Sequence, residues 1–216
     1  MGQQRVLHDF YSQEAKRLGY AARSAFKLLE IQKRYRVIPK GGRVLDLGCF
    51  PGAWLQVACA NIGNKAAGGQ VLGVDLQATP IPRDMCDSRV TTWQGDARHL
   101  SPVDLLSFQP RGFHAVLSDM CPPTSGSSLL DAAKSLELQR SALALALGFD
   151  DDGRDGGGGV LLPGGSIVVK LLEGSGTREL GQDLRGTFEK VAWLRPKATR
   201  PQSKELFLIG KGRRQR

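Results

Sequence analysis

The chain has 216 residues, with 30 Lys and Arg against 21 Asp and Glu, a formal net charge of +9. That length suits one α/β domain with a full core. No window approaches the roughly 20 apolar residues of a membrane span and no secretory signal opens the chain, so membrane and secreted classes are set aside.

Cys49, Cys59, Cys86 and Cys121 form no Cys-x-x-Cys pair and have no His at ligand spacing. They read as reduced intracellular thiols, and no metal site is expected. Charge is spread unevenly. Residues 1–40 carry nine Lys/Arg against three Asp/Glu, residues 190–216 nine against one, and the middle twelve against seventeen. A slightly acidic body between two basic ends points to a polyanion partner, namely nucleic acid. Two solvated, solubilising tails are the bland alternative.

Residues 1–10 show no pattern and predict no regular structure. Ser12 can cap a helix with Glu14 in its first turn. Residues 21–35 have helical spacing, and Pro39-Lys40-Gly41-Gly42 ends them. Val44, Leu45 and Leu47 make an apolar run of strand length. Gly48 to Gly52 breaks it, and residues 53–60 resume with helical spacing. Strand, glycine turn and helix open a nucleotide-binding α/β unit. Gly48 and Gly52 let the backbone approach a ligand. The dinucleotide fingerprint Gly-x-Gly-x-x-Gly is missing. Asp46 lies inside the strand end, where a carboxylate is costly without a partner. Together these features point to a ligand without phosphates, such as S-adenosylmethionine.

Residues 71–75 read as a second strand, and Asp75 at its tip is placed to accept both hydroxyls of a ribose. Residues 90–93 make a third strand, followed by Asp96, and residues 113–119 a fourth, ending in Asp119. Residues 128–147 are a long Ala/Leu-rich helix. Residues 149–159, Phe-Asp-Asp-Asp-Gly-Arg-Asp-Gly-Gly-Gly-Gly, cannot bury apolar surface and predict a flexible insert. Residues 165–172 form a fifth strand with Lys170 inside its apolar run, a place where Lys rarely lies without a partner or a role. Residues 179–188 predict a helix. Residues 191–194 and 205–209 close the chain as two strands with no helix between them, hence an antiparallel hairpin at the sheet edge. The strand–helix alternation predicts a single domain with a parallel, doubly wound sheet. Ligands of such sheets bind at the carboxyl ends of the strands, where Asp75, Asp96, Asp119 and the glycine turn all fall.

The segments Ser24-Ala-Phe-Lys27-Leu-Leu-Glu-Ile, Leu45-Asp-Leu-Gly-Cys-Phe-Pro-Gly-Ala-Trp54, Ser118-Asp-Met-Cys-Pro-Pro-Thr-Ser-Gly126, Pro163-Gly-Gly-Ser-Ile-Val-Val-Lys170 and Ser203-Lys-Glu205 resemble the FtsJ/RrmJ-type RNA ribose 2′-O-methyltransferases. The resemblance runs from about Tyr20 to Gly210. It implies a Rossmann-like S-adenosylmethionine-dependent methyltransferase fold of seven strands. It implies a catalytic tetrad of Lys27, Asp119, Lys170 and Glu205, with Gly52, Trp54, Asp75, Asp96 and Asp119 lining the cofactor pocket. Cys49-Phe50 and Ala53 depart from the family's glycine turn, Phe207 stands where Tyr is common, and the 149–159 insert is extra.

On this resemblance Lys170 is the general base for a ribose 2′-hydroxyl. Burial and the charge of Lys27 are expected to lower its pKa, while Asp119 orients the amine and opposes that shift. The substrate implied is ribosomal RNA, at a uridine of the large subunit, held by the basic ends including the residues beyond Gly210. A monomer is expected, in the cytoplasm, or in a mitochondrion or chloroplast if a targeting peptide precedes this chain. The alternatives are a transfer-RNA or cap ribose methyltransferase and a non-catalytic RNA-binding module. A base or protein N-methyltransferase is disfavoured, because Asp119-Met-Cys-Pro-Pro lacks the aromatic residue of that class.

Overall fold

The computed structural model describes residues 2–123, 125–148 and 158–215, with side chains from Phe10 onward. Most of the 149–159 insert therefore lies outside the described residues. The elements run α1 (Gly2–Arg17), α2 (Ala25–Tyr35), β1 (Arg43–Leu47), α3 (Ala53–Asn61), β2 (Gln70–Asp75), β3 (Val90–Gln94), α4 (Pro102–Phe108), β4 (Phe113–Ser118), α5 (Ser128–Leu147), β5 (Leu161–Leu172), α6 (Thr177–Asp183), β6 (Phe188–Leu194) and β7 (Glu205–Arg213).

The strands form one sheet of seven in the order β3-β2-β1-β4-β5-β7-β6. The first five pair in parallel; β7 is antiparallel to both β5 and β6. Successive strand residues point to opposite faces, and the core divides accordingly. Val44, Ala115, Leu117, Val168, Phe207 and Ile209 pack under α2 and α3. Leu45, Leu47, Val116, Ile167, Val169, Leu171 and Leu208 pack under α4, α5 and α6. The doubly wound sheet with its antiparallel edge hairpin is the expected architecture.

Three local expectations change. A helix covers residues expected to be irregular, and Ser12 lies inside it rather than at its cap. α1 docks through Tyr11, whose ring meets Phe26 at 5.3 Å with the Arg23 guanidinium 5.7 Å from its centroid. α4 was not anticipated; its Ser101–Asp104 capping box and Pro102 fix its start. The last helix starts and stops earlier than its spacing suggests, because Phe188 turns inward and begins β6.

The basic carboxyl end also needs correction. Because β7 is antiparallel, Glu205 pairs with Leu172 at one sheet edge while Lys211 pairs with Ser166 toward the other. There Lys211 donates to the Tyr35 carbonyl at 2.7 Å and Arg214 to those of Arg185 and Gly186 at 3.1 Å. Arg213 donates to the carbonyls of Ala146 at 3.5 Å, Leu147 at 3.2 Å, and Leu161. These are structural braces, and Arg213 satisfies the orphan carbonyls that end α5. Arg213→Ala should cost about 2 kcal/mol, or roughly 4–8 °C in a thermal melt, with RNA affinity unchanged in a filter-binding assay.

Candidate active site

The carboxyl ends of the parallel strands and the start of β7 meet at one edge, and two buried ion pairs sit there. Lys170 Nζ lies 2.9 Å from Asp119 Oδ1, with the two side chains only 7% and 15% exposed. The same ammonium donates to the Asp119 main-chain carbonyl. Lys27 Nζ lies 2.5 Å from Glu205 Oε1 and 5.8 Å from the Phe207 ring centroid. Strand register explains the arrangement. Lys170 and Phe207 are cross-strand partners, as are Leu172 and Glu205, so Lys170 and Glu205 share the face covered by α2, which carries Lys27. The four tetrad residues of the sequence reading are thus brought together.

Burial alone would pull the Lys170 ammonium down. The charges of Asp119, Cys121 and Glu205 outweigh it, and the net direction is up. The expected lowering of this pKa is therefore not what the structure gives. Cys121, exposed on the loop after β4, belongs to this surrounding although the sequence did not single it out.

Asp46 is fully buried in β1, and neither carboxyl oxygen has a hydrogen-bond partner among the described residues. Burial raises its pKa well above the carboxylate range, and the charges of Asp119 and Asp75 raise it further. Asp46 thus feels the charges of Asp75 and Asp119 and has no cation partner among the described residues. Asp75, at the tip of β2, accepts from Phe50 N at 3.0 Å and Gln77 N at 2.9 Å, one bond to each oxygen. Gly95 N donates to the Asp75 carbonyl at 2.8 Å, which seats the Asp96 turn beside it. Asp96 itself is clasped by Arg98, whose Nη2 approaches to 2.6 Å. That hydrogen-bonded guanidinium holds the Asp96 carboxyl at about 2.

The glycine turn is shaped by close approach. Gly48 has φ +80°, and a Cβ there would lie 2.7 Å from Met120 Cγ and 3.0 Å from Met120 N. Gly52 has φ +105° and caps α3; a Cβ there would meet Pro82 at 2.9 Å. Both positions require glycine on two counts. The side chain of Trp54 is buried beneath α2: it is 2% exposed, its indole N–H donates to Ser24 O at 2.9 Å, and its ring packs 5.8 Å from Phe207. It braces α2, and hence Lys27, against the sheet.

The sequence reading missed the supports on α5. Gln139 accepts from Ser118 Oγ at 2.7 Å and donates to Met120 O at 3.1 Å, pinning the strand end that carries Asp119. Ser135 Oγ accepts from Leu172 N at 3.1 Å, and Asp131 accepts from Ser125 N at 2.7 Å. These three buried polar residues lie four apart on an Ala/Leu-rich helix, and that stripe was a readable signal. Gln56 on α3 likewise bridges Gly19 O and Ala21 N, each at 2.8 Å, and fixes the approach to α2.

The FtsJ-like methyltransferase model matches residues 20–213. The chain is 40% identical over 203 residues to the ribosomal RNA large subunit methyltransferase E of Desulfatibacillum aliphaticivorans, covering 94% of this chain and 89% of that one. It is 41% identical over 202 residues to the protein of the same name from Sorangium cellulosum, covering 94% and 86%. Among solved structures it superposes on a Plasmodium falciparum protein described as a ribosomal RNA methyltransferase. The TM-score is 0.73 at 26% identity, over 91% of this chain and all of that one. With the fold, the glycine turn and the paired lysines and acids in agreement with that match, the chain belongs to the FtsJ-like methyltransferase family.

Proposed function

We propose that this chain transfers a methyl group from S-adenosylmethionine to a ribose 2′-hydroxyl of ribosomal RNA, at a uridine of the large subunit, acting as a monomer. The observation that carries the reading is the juxtaposition of the two buried pairs, Lys170–Asp119 and Lys27–Glu205, at the strand ends that also carry Asp46, Asp75 and the glycine turn. The bacterial relatives named for the large subunit support the RNA and favour a cytoplasmic setting over an organelle.

The residues at these strand ends fit the cofactor. Bound there, S-adenosylmethionine supplies an activated methyl group on a positively charged sulfur. The unpartnered Asp46, with Asp75 and Asp119, suits a cation. Asp75 is oriented by two main-chain donors to receive a ribose. Asp75→Ala should weaken S-adenosylmethionine binding tenfold or more, a loss of about 1.5–3 kcal/mol in charge-assisted hydrogen bonds. Unchanged affinity by calorimetry would remove Asp75 from the pocket.

Lys170 Nζ takes the 2′-hydroxyl proton, and Asp119 fixes the direction of that amine. Further positive charge brought to this edge favours the neutral lysine that proton abstraction needs. Lys27 and Glu205 hold the neighbouring wall and place the ribose. Around this edge Arg23 donates to Ala198 O at 2.8 Å, and the nearby charge of Arg200 helps depress it after burial. Together with Lys197 and Lys204 they form a basic rim for phosphates. Mapping 2′-O-methyl positions in ribosomal RNA from cells with and without the gene tests the proposal. One large-subunit uridine should lose its methyl group; loss confined to transfer RNA, or no loss, would overturn it.

A further inference from the structure

We infer that a cleft on the face of the sheet opposite Lys170 holds a single-stranded nucleotide of the RNA next to the methylated ribose. This rests on the reading above that RNA is the substrate. The cleft has a volume of about 790 Å³ and lies between α6, with the loop before it, and β6. Its aromatic wall is Trp193, 38% exposed. Gly181 makes room for this indole: a Cβ there would lie 2.7 Å from the ring. Trp193 pairs with Leu208, whose side chain packs under α5 and α6, so strand alternation turns it away from Lys170. The cleft still opens at the same sheet edge. Glu173 N donates to Lys204 O at 2.8 Å, so the cleft floor is bonded to the strand tip that carries Glu205. Arg195, which lines the cleft, reaches the carbonyls of Pro201 and Ser203 in the basic loop.

An exposed indole beside guanidinium groups suits one base stacked on its face and a phosphate alongside. Arg178 and Arg185 line the cleft, and their guanidinium groups have no hydrogen-bond or ion-pair partner among the described residues. Glu173 and Glu179 also line it. That near balance of charge favours a single nucleotide over a long backbone track.

The test compares wild type with Trp193→Leu, Trp193→Phe and Arg185→Ala. The readouts are KM and kcat on a ribosomal RNA fragment containing the methylated position, and indole fluorescence during titration with a single-stranded hexaribonucleotide. Trp54 is buried and Trp93 is stacked on Phe108 at 4.9 Å, so quenching reports mainly on Trp193. Trp193→Leu should raise KM about tenfold, leave kcat and S-adenosylmethionine affinity unchanged, and abolish the quench. Trp193→Phe should restore most of the KM, and Arg185→Ala should raise it severalfold. Unchanged KM and quench in Trp193→Leu and Arg185→Ala would overturn the inference. So would a defect seen only with assembled subunits and not with naked RNA, which would mean a protein docks here. Wild type that quenches yet methylates no ribosomal RNA would support the cleft and count against the functional reading instead.

Discussion

Lys170→Ala should lower the single-turnover rate of methyl transfer by roughly 10²–10⁴-fold, the usual worth of a positioned general base. The protein should still fold, because Asp119 is 15% exposed and can take water in place of the lost ammonium. Affinity for S-adenosylmethionine should change little, since Asp46, Asp75 and the glycine turn lie on β1, β2 and the loop beyond. Lys170→Arg should fail almost as badly: a guanidinium keeps its proton throughout the accessible range. The pH profile adds a signed check. Asp119, Cys121 and Glu205 hold the Lys170 ammonium above its ordinary value. Neutral lysine is then scarce at neutral pH, and the rate should keep climbing into the alkaline range. Near-normal turnover by Lys170→Arg, or a flat alkaline profile, would make Lys170 a positioning cation and move the base to water or Asp119.

Lys170 was legible because it broke a rule, a lysine inside an apolar strand run. Asp46 was legible for the same reason, and burial without a partner is where the structure puts it. The strands were legible because their apolar runs are short and bounded by Gly and Pro. α1 was not, because its packing depends on Tyr11 meeting Phe26 across a turn, and no local pattern announces that contact. α4 carried a readable start in Ser101-Pro102-Val-Asp104, but seven residues give too little periodicity to count. The carboxyl end shows a limit of charge counting. Net charge says that residues 190–216 are basic; it does not say where each residue lies. Nine residues of β7 at ~3.3 Å each carry the chain about 30 Å from the catalytic edge. Lys197, Arg200 and Lys204 thus stay near the site, while Lys211, Arg213 and Arg214 brace the far side. The direction of the Lys170 shift was also misjudged from sequence, because Lys27 is paired to Glu205 and the acids around Lys170 outnumber it.

Asp119→Asn should separate the orienting role of this carboxylate from its charge. The amide keeps the shape and one acceptor for Lys170 Nζ, so the fold should persist, with a stability loss of several kcal/mol at neutral pH from a buried ammonium left without its counter-charge. Turnover should drop on the order of 10²-fold, because the amine is no longer held in one direction. The pH dependence of stability should change sign. In the wild type the Lys170 pKa is raised, so its contribution is fully present below the unfolded-chain value near ~10.4 and is lost as pH rises through the folded value. In the variant, with the main opposing charge removed, burial dominates and the folded pKa falls below the unfolded one. The unfolded chain then binds more protons between the two values, and stability should rise with pH across that window. From neutral pH to ~10 the wild-type contribution is constant, so urea titrations over that range should show stability rising only in the variant. Parallel curves for wild type and Asp119→Asn would mean that Asp119 does not set the protonation of Lys170, and that Glu205 or Cys121 does.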